Sequence, residues 1–195
     1  MFDARGDPSD KCVGNVLPHR RRVRLAGYDY SQPGTYFITI CTHRNECLFG
    51  DVVNDVVRVS DLGGIAYEEW TRTAEVRDSV TLDAFVIMPN HLHGIIVLSD
   101  AGGVMADALV DSAAGARFGR PTANSLSTIV GGFKASVTHR INSLRGTPGG
   151  RVWQRGFYEE VVRSDKALGL IREYVANNAA QWSLDRGRST SGRHP

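Results

Sequence analysis

Two nearly continuous apolar runs, Leu82 to Met88 and Ile95 to Leu98, flank the turn signal Pro89-Asn90, and no other feature constrains the fold as strongly. Runs of that length around a short turn read as an antiparallel hairpin in the middle of a sheet. Thr35 to His43 (TYFITICTH) is a further buried strand, dense in β-branched and aromatic side chains and entered through a loop over Gly27 to Gly34. Ser60 is placed to cap a helix in which Leu62, Ile65, Ala66 and Trp70 recur at helical spacing. A second helix runs from about Asn124 to Ser143, with Leu126, Val130, Phe133, Val137 and Ile141 on one stripe. Gly131-Gly132 weakens it by ~1 kcal/mol per glycine relative to alanine, which points to a close packing partner there. Arg151 to Arg163 reads as extended, and a third helix runs from Ser164-Asp165 to near Trp182 with Leu168, Ile171 and Val175 inward. The order strand, helix, hairpin, helix, strand is the α+β, ferredoxin-like βαββαβ core with a central antiparallel sheet, followed by one extra C-terminal helix.

At 195 residues the chain is long enough for one domain with a real core. Residues 1–19 and 183–195 read as disordered tails, residues 20–182 as the domain, and 99–123, rich in Ala, Gly and Asp, as a flexible insertion. No run approaches the ~18–20 apolar residues of a membrane span, and the polar start has no apolar signal core. Cys12, Cys41 and Cys47 are odd in number and form no C-x-x-C pair, so no disulfide framework is expected, and a reducing cytoplasmic setting is.

The net charge of +2 conceals a division. Residues 44–111 carry 4 basic against 12 acidic side chains, and residues 117–195 carry 13 against 5. With the run His19-Arg20-Arg21-Arg22-Val23-Arg24, the basic half suggests a polyanionic partner. Arginine grips phosphate at two points where lysine acts as a point charge. A G+C-rich genome would also enrich arginine, and charge alone does not separate the two.

The residues best suited to chemistry are His91 and His93 in Pro89-Asn90-His91-Leu92-His93-Gly94. Two apart on a strand, they face the same side, where two imidazoles can hold a divalent cation. Gly94 leaves room beside them for another backbone or a ligand. A histidine pair at a strand end can equally be a local hydrogen-bonding feature. On the last helix, Tyr174 and Asn178 are four apart and share a face, roughly 6 Å apart at Cβ. They could supply a nucleophile and a third metal ligand, or Tyr174 could be an ordinary tyrosine at the core edge. Cys41, His43 and Cys47 lack an evident fourth ligand for zinc. Glu159 and Glu160, adjacent on an extended stretch, face opposite ways and do not share acid/base work.

Four long segments taken together resemble the REP-associated tyrosine transposases, a branch of the HUH single-strand endonucleases: Arg20 to Gly50, Ala84 to Leu98 (AFVIMPNHLHGIIVL), Ser125 to Asn142 (SLSTIVGGFKASVTHRIN) and Val152 to Trp182. The resemblance implies that His91 and His93 are the HUH metal ligands, that Tyr174 is the nucleophile, and that Asn178 occupies the third-ligand position. It implies Mg²⁺ or Mn²⁺ as the cofactor, and cleavage and rejoining of single-stranded DNA through a 5′-phosphotyrosine link. The implied partner is single-stranded DNA with palindromic hairpin elements. Arg20, Arg21, Arg22 and Arg24 would grip hairpin phosphates, with Lys134, Arg140 and Arg145 lining the same trough. Monomer and homodimer both stay open. The chain departs from the family in having Asn178-Ala179 where members continue with Asn-Pro, and in the longer connection at 99–123. Two rivals stand beside this reading: a non-catalytic hairpin-binding relic of a transposase, and a metal-dependent phosphodiesterase with no covalent stage.

Overall fold

A computed structural model describes residues 28–99 and 124–182. The expected tails at 1–19 and 183–195, the insertion beyond Ser99 and the Arg20–Arg24 run lie outside the described residues.

The strand β1 (Gly34–Cys41) leads through a single 3₁₀ turn at His43–Asn45 into a small ribbon, β2 (Gly50–Val53) and β3 (Val56–Val59). Helix α1 (Asp61–Glu75), strands β4 (Val80–Met88) and β5 (His91–Leu98), helix α2 (Leu126–Arg145), strand β6 (Tyr158–Val162) and helix α3 (Asp165–Ala176) follow. The four long-range strands form one antiparallel sheet in the order β4-β5-β1-β6. With β5 slotted between β1 and β4, this is the expected ferredoxin-like order. Each helix starts where a serine hydroxyl satisfies a free backbone N–H: Ser60 Oγ accepts from Gly63, Ser125 Oγ from Thr128 and Ser164 Oγ from Ala167.

The two faces of the sheet are covered by different helices. Tyr36, Ile38 and Ile40 of β1 and Leu92 and Ile96 of β5 are buried with Trp70 of α1 and with Ile129, Phe133 and Val137 of α2. On the opposite face, Phe37 and Ile95 are buried with Val175 of α3, and Leu168, Ile171 and Tyr174 pack around them. This double cover explains why the strands are continuously apolar instead of alternating.

Several expectations change. β4 is an edge strand, so the hairpin spans the edge and the interior of the sheet. Its apolar run persists at the edge because helices cover both faces. Gly94 makes room for an indole: an added Cβ would lie 2.5 Å from Trp70 Cζ2. Gly131 has nothing within 4 Å of an added Cβ, whereas Gly132 faces Arg77 Nη2 at 3.1 Å, so the close partner at that pair is one guanidinium, beside Gly132 alone. Within Arg151–Arg163 only β6 is a strand, apart from a bridge between Thr42 and Trp153. Cys41 is a free thiol.

Candidate active site

The register of the sheet decides which side chains meet. Thr39 lies opposite His93 and Cys41 opposite His91, so both histidines project from the α3 side with Phe37 and Thr39. Their ring centroids are 4.5 Å apart. Both are almost fully buried, at 5% and 3% exposure.

Each imidazole is held from behind. His91 Nδ1 bonds Asn90 Oδ1 at 2.7 Å, and His93 Nδ1 bonds Thr39 Oγ1 at 2.8 Å. Asn90 is fully buried and is itself anchored, since its carbonyl accepts from the Thr42 N–H at 2.8 Å and from Thr42 Oγ1 at 3.0 Å. Phe37 stacks on His93 at 5.4 Å, and Trp182 lies 5.8 Å from His91. Assigning the proton to Nδ1 of both rings satisfies Asn90 and Thr39 as acceptors and leaves each Nε2 with its lone pair.

Burial pushes His91 down to about 4, with a side-chain hydrogen bond to Asn178 pulling the other way. His93 is pushed well below its ordinary range, first by burial and then by the neighbouring His91. Both rings are therefore neutral at pH 7. That is the form that binds a cation, and the Nδ1 partners orient it as outer-shell contacts do in metal sites.

α3 brings Tyr174 onto this pair. Its hydroxyl lies 3.2 Å from His93 Nε2 and its ring centroid 5.2 Å from that of His93. The Phe37 and Tyr174 rings meet perpendicular to one another, at 6.1 Å and 87°. α3 ends at Ala176, earlier than the periodicity suggests, because Asn177 leaves helical geometry at φ −92°, ψ 5°. Residues 178–182 are helical again beyond this turn. Asn178 thus sits just past a break and not on one unbroken face with Tyr174; it is 6% exposed and reaches His91.

The donor set of two neutral imidazoles and one buried amide fits a divalent cation by its chemistry. Among the described residues no group of three or more His, Cys, Asp or Glu side chains gathers around a common point. The Cys41, His43 and Cys47 grouping is accordingly no metal cluster.

The predicted DNA-contacting cations are placed differently. Arg20, Arg21, Arg22 and Arg24 lie outside the described residues. Lys134 spends its ammonium on two backbone carbonyls, Gln154 O at 2.8 Å and Gly156 O at 2.9 Å. Arg140 bridges Glu68 at 2.6 Å and Glu69 at 2.9 Å. Arg145 is exposed in the last turn of α2. All three belong to α2, which packs on the face of the sheet opposite the histidines.

Sequence reasoning missed Asn90, Thr39, Phe37 and Trp182 as parts of the site. Asn90 was visible beside the histidines, and Thr39 follows once β1 and β5 are paired in register.

No family model matches the chain. It is 38% identical over 172 residues to an uncharacterized protein of Haemophilus influenzae, covering 87% of this chain and 93% of that one. Among solved structures it is similar to a REP-associated tyrosine transposase bound to a REP hairpin, at 17% identity and a TM-score of 0.54, over 79% of this chain and 70% of that one. A proposed transposase of Deinococcus radiodurans overlaps 77% of this chain and 93% of its own, at 18% identity and a TM-score of 0.39. The fold is thus one that a transposase also uses.

Proposed function

We propose, for a chain that belongs to the same family as the Haemophilus influenzae protein, the function of an HUH-type REP-associated tyrosine transposase. It would be a metal-dependent single-stranded DNA endonuclease and strand transferase acting at hairpin-associated sites. The observation that carries this reading is the 3.2 Å approach of the Tyr174 hydroxyl to His93 Nε2, with His91 alongside.

An ordinary tyrosine hydroxyl has a pKa of ~10, so forming the phenolate at pH 7 costs about 4 kcal/mol. A divalent cation, Mg²⁺ or Mn²⁺ held by His91, His93 and Asn178, would supply charge neutralisation at the scissile phosphate. Tyr174 Oη attacks phosphorus: the Oη–P bond forms, the P–O3′ bond breaks, and a 3′-hydroxyl leaves carrying a proton. The phosphodiester is exchanged and not hydrolysed, so another 3′-hydroxyl reverses the link without ATP. In the free protein Tyr174 donates to the His93 lone pair that ligation needs. A cation bound there would compete with Tyr174 for that lone pair, and the Phe37 ring beside the phenol would keep it near the histidines.

The test is incubation with labelled single-stranded DNA bearing a hairpin, in Mg²⁺ or Mn²⁺, followed by a denaturing gel. The protein should form a denaturant-resistant adduct, and Tyr174→Phe should form none while binding the DNA as before. An adduct that persists in Tyr174→Phe sinks the assignment. Cutting with no adduct means a phosphodiesterase, and binding with no cutting means a DNA-binding relic.

A further inference from the structure

β4 breaks register with β5 between Leu82 and Phe85, and Asp83 lies in that irregularity. Asp83 Oδ1 accepts from the Ala84 N–H at 2.6 Å, which fixes the carboxylate against its own strand. From α3, Arg172 Nε donates to the same Oδ1 at 2.9 Å and Nη2 donates to Oδ2 at 2.5 Å. A forked guanidinium–carboxylate contact fixes orientation as well as distance. Apart from this contact and the Tyr174 hydroxyl on His93, α3 is seated on the sheet by the apolar packing of Leu168, Ile171 and Val175, which is non-directional. Arg172 lies two residues before Tyr174, within the same turn of helix.

We propose that the Asp83–Arg172 pair is a positioning device: the irregular stretch of β4 presents a carboxylate that sets the rotation of α3 and keeps the Tyr174 ring beside the histidine pair. The assignment rests on the role given to Tyr174 above. Arg172 is 51% exposed and Asp83 21%, and pairs of that kind contribute little to global stability. Placement of a nucleophile is far more demanding, since an error of about 1 Å costs on the order of 10²-fold in rate. The pair therefore matters for rate much more than for folding. The two groups also reinforce one another's charge, since Arg172 holds the Asp83 carboxyl below its usual range and Asp83 raises Arg172.

The experiment compares Asp83→Asn, Arg172→Gln and the double variant in single-turnover adduct formation on saturating hairpin DNA. Each single variant should be slower by roughly 10- to 100-fold. The double variant should be no slower than either, because all three break the same ion pair. DNA affinity and thermal midpoint should stay close to those of the parent. Arg172→Lys, which keeps charge but loses the fork, should fall between. Independently of turnover, the His93 ring nitrogen resonances should shift in both single variants in the direction that Tyr174→Phe moves them. Unchanged rates, additive losses or unmoved His93 resonances overturn the proposal. So does an affinity loss in Arg172→Gln alone, which would make Arg172 a DNA contact. An adduct in Tyr174→Phe defeats the role given to Tyr174, and none from the parent defeats the transposase reading itself; unimpaired Asp83 and Arg172 variants beside an inactive Tyr174→Phe defeat only this inference.

Discussion

Acid should weaken this protein through His91 before it reaches the carboxylates. His91 titrates at about 4 in the folded chain against 6.5 when unperturbed. The folded value is depressed, so the unfolded chain binds more protons as pH falls below 6.5. The stability that His91 contributes as a neutral ring is present above 6.5 and is lost progressively down to about 4. At pH 4 the unfolded ring is fully protonated and the folded ring about half so. That difference corresponds to about 3 kcal/mol lost between pH 7 and pH 4. His93, depressed by burial and by His91, adds to the loss with the same sign. Asp83 is a depressed carboxyl whose contribution disappears only below its unfolded value of 3.8, so its window lies lower. The assay is urea unfolding at pH 7, 5.5 and 4 and constant salt, for the parent and for His91→Gln, with the slope m checked for constancy. The parent should lose at least ~3 kcal/mol more than His91→Gln over that interval. If both lose the same amount, His91 is not held neutral by burial and has no lone pair ready for a cation.

Two further outcomes follow from the packing and from the charges. Gly94→Ala should cost about 1–3 kcal/mol, because the new methyl would meet Trp70 Cζ2 at 2.5 Å in a full core; its thermal midpoint measures this, and an unchanged midpoint would mean that α1 yields freely. Neutralising Arg20, Arg21, Arg22 and Arg24 should lower the salt slope of DNA affinity by about one unit for each phosphate no longer neutralised, whereas Lys134→Met, which frees two carbonyls, should lower stability and leave that slope alone; the reverse pattern would exchange their roles.

What the chain declares locally, it declares well. The serine caps of all three helices, the apolar stripe of α2 and the strand pair around Pro89-Asn90 are short-range signals, and each element stands within a few residues of its expected place. The β2–β3 ribbon escaped because its strands are four residues long and carry Asp51 and Arg58 among exposed valines. Its one strong mark was Asn54-Asp55, whose positive φ values of 51° and 60° are those of a tight hairpin turn. The histidine pair was legible because strand geometry alone puts the rings side by side. Whether Tyr174 reaches them was not, because it depends on which face of the sheet α3 covers. The anchoring of Lys134 was illegible for the same reason: its carbonyl partners lie twenty or more residues away and carry no side-chain signature.

Tyr174 and His93 are 81 positions apart, and β6, laid against β1, must be made before α3 can cross the sheet. During synthesis the imidazoles therefore emerge long before their phenol. A nascent chain halted between β5 and α3 would carry the histidine pair without Tyr174, so on the proposed chemistry it would have the ligands and not yet the nucleophile.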